Sequence, residues 1–285
     1  MSNIAVVGAG AVGTAIAMLL KPESDVTLLG RQTTTLHYDD WEKQTQTTIN
    51  VQSLETCEDS FDIIFIAVKT HQLQSVLPHL ARISTSDTIV ILAQNGYGQL
   101  ELLTDYEAYQ AVVYISGEKK GSHVTHFRDR RLHIQRTQTT TSLAEQLANT
   151  ALELVLEDDI LQTIWYKLLV NLGINTVTAL NVDTARVLKR PDVYTLCSEL
   201  ITEGIAVAKA CGVTFPATTV EDIMNIYAGY PDEMGTSMYY DVKNKHPLEV
   251  EAIQGYIYRQ AQRYQLHTPT LNQCYQALKR LDVSA

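Results

Sequence analysis

The chain has 285 residues, 45% hydrophobic and 19% charged, enough for two domains that each bury a core. Its 22 Lys and Arg against 32 Asp and Glu leave a formal charge of −10, which disfavours nucleic acid or an anionic membrane as a general partner. No apolar run approaches the roughly 20 residues that span a bilayer. The opening Met1-Ser2-Asn3 leads straight into a strand-like run, so a cytoplasmic protein without a signal peptide is expected. Cys57, Cys197, Cys211 and Cys274 are widely spaced, with no C-x-x-C pair, and are expected to be reduced and structural. These features exclude secreted, membrane and zinc-scaffold classes.

Residues 4–7 are a continuous apolar run of the buried-strand type, followed by a glycine turn and an apolar-periodic helix over 12–20. Short strand signatures recur at 26–29, 63–68, 88–92 and 112–115, with a helical pattern at 72–80 between two of them. Strands separated by helices imply a parallel sheet covered on both faces. Residues 124–127 and 132–135 read as a short edge hairpin. After a polar stretch at 136–142 the style changes to helices over 143–157, 162–181, 193–210, 217–227, 247–264 and 270–281, with no comparable strand. Gly212 suits a helix C-terminus and Pro247 a first helical turn. An α/β domain over 1–140 and an all-helical domain over 141–285 are expected, the latter with apolar faces suited to a homodimer.

Gly8-Ala9-Gly10-Ala11-Val12-Gly13 joins the first strand to the first helix. In such a turn the first glycine permits the bend, the second lets a pyrophosphate approach the backbone, and the third lets helix and strand pack closely. The helix N-terminus adds unpaired N–H groups and a positive dipole end. A Rossmann-type dinucleotide-binding domain is therefore expected. At the end of the second strand, where NAD sites carry an acid for the ribose hydroxyl, the chain has Gly30-Arg31-Gln32, and Asp25 lies at the wrong end. A guanidinium pairs with a 2′-phosphate through two parallel hydrogen bonds, so NADP is the expected cofactor. Lys69-Thr70 and Gln94-Asn95-Gly96 come after two further strands, at the edge where ligands lie in such sheets.

Lys167, Asn171 and Asn175 are spaced by four on a largely apolar helix, within one arc about 12 Å long. Buried amides without partners cost roughly 1–3 kcal/mol each, so the stripe needs either neighbouring helices or a polar ligand. A lysine partly removed from water is also a better proton donor near neutrality. Glu249 is expected in a first helical turn, sharing a face with Ile253 and Tyr256, and Gly255 inside that helix implies close packing. The eight histidines show no metal-triad or His–Asp spacing and read as surface or loop residues; no metal site is expected.

Together these residues resemble the ketopantoate reductase family over nearly the whole chain. The carriers are Gly8 to Gly13, Ala67-Val68-Lys69-Thr70, Gln94-Asn95-Gly96, the Lys167/Asn171/Asn175 helix, and Ser237-Met238 followed by Glu249 and Gly255. The resemblance implies NADPH-dependent reduction of 2-dehydropantoate to (R)-pantoate, on the path to pantothenate and coenzyme A. It implies Lys167 as proton donor, Asn171 and Asn175 as substrate amides, and Asn95 as a contact of both cofactor and substrate. It further implies Ser237 at the substrate carboxylate, Glu249 at the substrate hydroxyl near the nicotinamide, Lys69 and Gln72 beside the cofactor, and Arg31 at the 2′-phosphate. The chain departs from the family at Lys119-Lys120 and Arg128-Asp129-Arg130-Arg131, where relatives usually have a glycine-richer hairpin. It also lacks, around Asn181, a further substrate asparagine that some relatives carry. Two alternatives stay open: an NADP-dependent dehydrogenase of another small acid, and a non-catalytic NADP sensor. The Lys167 stripe argues against the sensor, which needs no proton donor.

Overall fold

The computed structural model describes residues 2–282. The chain divides into two compact units. The first takes the residues up to Asn95 together with Gln99–Ile160; the second takes Gly96–Gly98 and the residues from Leu161 onward.

In the first unit β1 (Asn3–Val7) leads into α1 (Ala11–Leu20), then β2 (Asp25–Gly30), β3 (Thr34–Asp40), β4 (Thr45–Ser53) and β5 (Phe61–Ile66). A 3-10 turn at Thr70–Gln72 opens α2 (Leu73–Ile83), followed by β6 (Ser84–Leu92), β7 (Glu107–Lys120), β8 (His123–Gln135), α3 (Gln138–Gln146) and β9 (Glu153–Glu157). Among the described residues the strands form one sheet in the order β3-β4-β2-β1-β5-β6-β7-β8-β9. Its centre, β2-β1-β5-β6-β7, is parallel. Alternate residues face opposite ways: Ile4 and Val6 join α1 in one core, while Ala5 and Val7 join α2 in the other. α1 is apolar nearly all round, and seven of its residues from Gly13 to Leu20 are buried.

The sheet does not stay open. β3 pairs in parallel with the start of β8, His37 to Asp40 against His123 to His126. This closes the strands around the core that holds α1, with Leu36 and Tyr38 from β3 and Val124 from β8 inside it. A buried polar latch sits at the closure: the Tyr38 hydroxyl lies 2.9 Å from His126 Nδ1, and His126 Nε2 lies 2.7 Å from the Asp129 carbonyl. A carbonyl only accepts, so Nε2 carries the ring proton and Nδ1 accepts from Tyr38. Burial, reinforced by Asp40, pushes the Tyr38 hydroxyl well above the ordinary tyrosine range, so it stays a donor.

Several expectations are corrected here. Residues 143–157 are not one helix: α3 ends at Gln146, and Glu153–Glu157 is a strand pairing with β8. Residues 124–127 and 132–135 form no hairpin with each other: both lie in the one strand β8, which runs antiparallel to β7, and β3 and β4 are additional strands. His126, only 1% exposed, is a core residue rather than a surface one.

The second unit contains α4 (Ile160–Asn181, whose first residue lies in the first unit), a 3-10 turn at Ala185–Lys189, α5 (Pro191–Ala210), α6 (Thr219–Ala228), α7 (Ser237–Lys243), a 3-10 turn at Val250–Ala252, α8 (Gln254–Arg263) and α9 (Pro269–Leu281). Gly212, at φ +89°, follows the last turn of α5. The single helix expected over 247–264 is broken. Pro247 precedes any helical turn, Glu249 has φ −88° and ψ +34° ahead of the 3-10 turn, and α8 begins only at Gln254. Glu249 therefore shares no helix face with Ile253 and Tyr256. Gly255 lies in the first turn of α8, where a Cβ would meet Glu251 Oε2 at 2.8 Å and the Tyr275 ring at 3.2 Å. Burial pushes the Cys197 thiol up to about 12 and that of Cys274 up to about 11, so both are inert packing groups.

Tyr38→Phe should strand the acceptor of a buried imidazole and lower stability by about 1–3 kcal/mol. Urea unfolding reads this as a lower midpoint at constant slope, and an unchanged midpoint would show that the latch contributes nothing.

Candidate active site

In the first unit the parallel register aligns Leu29, Val7, Ile66 and Leu92 across β2, β1, β5 and β6. The segments that come after these strands emerge along one sheet edge: Gly30-Arg31, the glycine turn, the approach to Lys69, and Ala93-Gln94-Asn95. Arg31, Lys69 and Asn95 thus follow strands that end along the same edge as the glycine turn, with Gln72 three residues beyond Lys69.

The turn itself is shaped by close approach. Gly8 has φ +123°, and its N–H donates to the Leu29 carbonyl at 2.8 Å. A Cβ on Gly13 would collide with the Gly8 carbonyl oxygen, so only glycine lets α1 start this near β1. Gly10, the residue capping α1, is different: a Cβ there meets nothing within 4 Å. The protein's own packing does not require glycine at this position, and the free space lies at a helix N-terminus, where an anion is favoured. That arrangement fits a dinucleotide pyrophosphate.

Lys69 precedes the 3-10 turn, and Gln72 links that turn to α2, with the Gln72 N–H on the Lys69 carbonyl at 2.8 Å. Gln94 is buried, and its amide donates to the Val68 carbonyl at 2.7 Å, tying the ends of two strands together just before Asn95. Its role is to hold that edge.

In the second unit Lys167, Asn171 and Asn175 lie one after another along α4. Lys167 and Asn171 are half-buried, and Asn175 is 6% exposed. The back of α4 is packed tightly: a Cβ on Gly173 would lie 2.6 Å from the Tyr227 hydroxyl, which donates to the Val170 carbonyl at 2.6 Å.

A chain of hydroxyls invisible in the sequence pattern ties Ser237 to this helix. The Tyr239 N–H donates to Thr236 Oγ1 at 3.1 Å, and Thr236 Oγ1 lies 2.7 Å from Thr178 Oγ1, which donates to the Ile174 carbonyl at 2.7 Å. Every group in the chain is satisfied if Thr236 donates to Thr178. α7, which opens with Ser237, is thereby fixed one turn beyond Asn175. Gln254, fully buried, donates to Thr176 Oγ1 at 2.9 Å and anchors α8 to the same stretch of α4.

Residues 96–98 complete the second unit. The Tyr97 N–H donates to the Ala252 carbonyl at 2.9 Å, and Gly96, at φ +83°, has no room for a Cβ against Ala252. The Tyr97 ring packs edge-on against Tyr256, which also contacts Trp165, two residues before Lys167. This aromatic cluster joins segments far apart in the chain and is not legible from spacing. Among the described residues no group of three or more His, Cys, Asp or Glu is arranged to hold a metal ion. Nor is any described helix long and apolar enough to cross a membrane.

The comparisons with known proteins are consistent across both units. Residues 4–139 match the family model described as ketopantoate reductase PanE/ApbA, and residues 159–282 match that of its C-terminal part. The chain is 26% identical to a 2-dehydropantoate 2-reductase of Vibrio cholerae, over 99% of this chain and 98% of that one. It is 27% identical to the enzyme of that name from Mycobacterium tuberculosis, over 94% of each. A solved structure of a dimeric ketopantoate reductase from Staphylococcus aureus superposes with a TM-score of 0.95 at 49% identity, covering 98% of both chains. A D-mandelate dehydrogenase in ternary complex with NADH and anilino(oxo)acetate shares the fold, with a TM-score of 0.89 at 21% identity.

The protein is a pyridine-nucleotide-dependent oxidoreductase with an N-terminal dinucleotide-binding domain and a C-terminal helical domain. Within that class the chain belongs to the ketopantoate reductase family.

Gly13 and Gly10 should respond differently to alanine. Gly13→Ala forces a backbone collision and should cost about 1–3 kcal/mol or more. Gly10→Ala should leave the Tm within about 2 °C yet weaken dinucleotide binding roughly ten-fold or more, because its methyl occupies ligand space. Thermal denaturation with coenzyme titration reads both effects, and equal losses of Tm would count against this assignment.

Proposed function

We propose that this protein reduces 2-dehydropantoate to (R)-pantoate with NADPH, a step toward pantothenate and coenzyme A. The observation that carries the reading is the Lys167–Asn171–Asn175 arc on a helix most of whose residues are buried, in a chain that ketopantoate reductases match over nearly its whole length. The coenzyme supplies a hydride to the keto carbon. As the C=O π bond opens, charge develops on the oxygen, and the Lys167 ammonium donates a proton there, leaving a secondary alcohol. A cation at that point stabilises the transition state more than the ground state, which is what raises turnover.

The other residues position. Asn171 and Asn175 offer amides to the polar substrate, Ser237 offers a hydroxyl to its carboxylate, and Glu249 accepts from its hydroxyl. Asn95, Lys69 and Gln72 bind along the sheet edge, and the open space at Gly10 receives the pyrophosphate. Arg31 favours a 2′-phosphate, because no carboxylate stands at the end of β2 to take a ribose hydroxyl. The reading extends to a homodimer through the helical unit, as the Staphylococcus aureus relative is described as dimeric. The likeness to a mandelate dehydrogenase makes other 2-oxo acids the proper controls.

Purified protein should oxidise NADPH with ketopantoate faster than with other 2-oxo acids; turnover confined to another acid would reassign the substrate. Lys167→Ala should lower kcat by roughly 10²–10⁴-fold while NADPH binding persists. An unchanged kcat would remove Lys167 from the chemistry. Arg31→Ala should raise the Kd for NADPH far more than that for NADH, and equal effects would argue against the 2′-phosphate assignment.

A further inference from the structure

β7 is fourteen residues long, and its outer half leaves the parallel sheet to run back against β8. The register slips around Ser116 and Gly117, where a Cβ on Gly117 would press within 2.7 Å of the Thr125 carbonyl oxygen. Such a bulge bends the strand and re-aims the residues beyond it. Because α1 packs against β7 and β8, the bent end is carried toward the start of that helix. There the Lys119 ammonium donates to the carbonyl of Ala9, inside the glycine turn and 110 residues away in sequence.

The same spot adjoins the end of β2. A Cβ on Gly30 would lie 3.2 Å from the Ala9 Cβ, and Arg31 comes next in the chain. Desolvation and then the Arg31 guanidinium push Lys119 below the ordinary lysine range. Two like charges are thus brought into mutual range with no carboxylate of β2 between them. In the free protein such a pairing is unfavourable, and an anion held by both cations would relieve it. A phosphomonoester, with a charge of about −1.5 to −2 near neutrality, suits two cations. The pyrophosphate is better matched to the neutral N–H groups of α1.

We propose that Lys119 is a second cationic contact for the adenosine 2′-phosphate of the coenzyme, acting with Arg31 to select the phosphorylated form. This rests on the proposed NADPH reading. The competing role is structural: Lys119 steadies the glycine turn through Ala9, which would aid phosphorylated and unphosphorylated coenzymes equally.

Binding to the intact protein separates the two, with no turnover required. NADPH, NADH, 2′,5′-ADP and 5′-AMP are titrated against wild type, Lys119→Met and Lys119→Arg by fluorescence or calorimetry. Lys119→Met should raise the Kd for NADPH and 2′,5′-ADP roughly ten-fold, change that for NADH and 5′-AMP by less than about two-fold, and flatten the salt dependence of NADPH binding. Lys119→Arg should keep the preference. Equal weakening of all four ligands, or of none, overturns the assignment while leaving the NADPH reading intact. Wild-type protein that binds NADH as tightly as NADPH, and 5′-AMP as tightly as 2′,5′-ADP, overturns both.

Discussion

The first unit depends on a close approach between the backbone of the β1–α1 turn and α1 itself. With Gly13 against the Gly8 carbonyl, the helix begins almost on top of the strand, and its N-terminus opens onto the sheet edge. Other features depend on that placement. The parallel register delivers the ends of β2, β5 and β6 to the same edge, and Gln94 ties two of them together. A side chain larger than hydrogen at Gly13 would displace the helix and the polar groups arranged around its first turn. The glycines of the motif thus serve separate physical ends: Gly8 and Gly13 satisfy the fold, whereas Gly10 leaves space the fold does not use.

The second unit solves a different problem, holding polar groups on a buried helix without stranding them. Behind α4, Gly173 admits Tyr227 to the helix backbone. Beyond Asn175, the Thr236–Thr178 hydroxyl pair and the Gln254–Thr176 bond fix α7 and α8 against the helix. The threonines used in this way are held at low entropy cost, since a β-branched side chain has few rotamers to lose. Rigid support of this kind is what a site needs when a misplacement of about 1 Å costs much of the rate.

Much of this was legible in the sequence because it is local. The glycine spacing identifies the β1–α1 turn, apolar runs identify β1, β5 and β6, and period-four spacing groups Lys167, Asn171 and Asn175 on one arc. What escaped was non-local or irregular. β3 and β4 are rich in Thr, Gln and Asp, with Leu36, Tyr38, Ile49 and Val51 spread among polar residues, so no apolar run marks them. β9 is only five residues long and takes its strand geometry from pairing with β8. The break after Pro247 escaped because the apolar periodicity continues across it, although Glu249 and Val250 do not continue a helix. Thr178, Thr236 and Lys119 have partners 58 or 110 residues away, and no window of sequence holds both ends of such a bond.

The pairing of β3 with β8 joins segments that are far apart in the chain, and it has a consequence for biosynthesis. During synthesis α1 leaves the ribosome about a hundred residues ahead of the strand that completes its enclosure. Until β8 arrives, Ile16, Leu19 and Leu20 have only part of their final cover, and the outer edge of β3 carries unpaired backbone groups. Non-local pairing of this kind is slow to form and exposes apolar surface while it waits. The core around α1 is therefore complete only once the chain has grown past β8, and a fragment ending before that strand would lack the partner of β3 and leave part of this apolar surface uncovered.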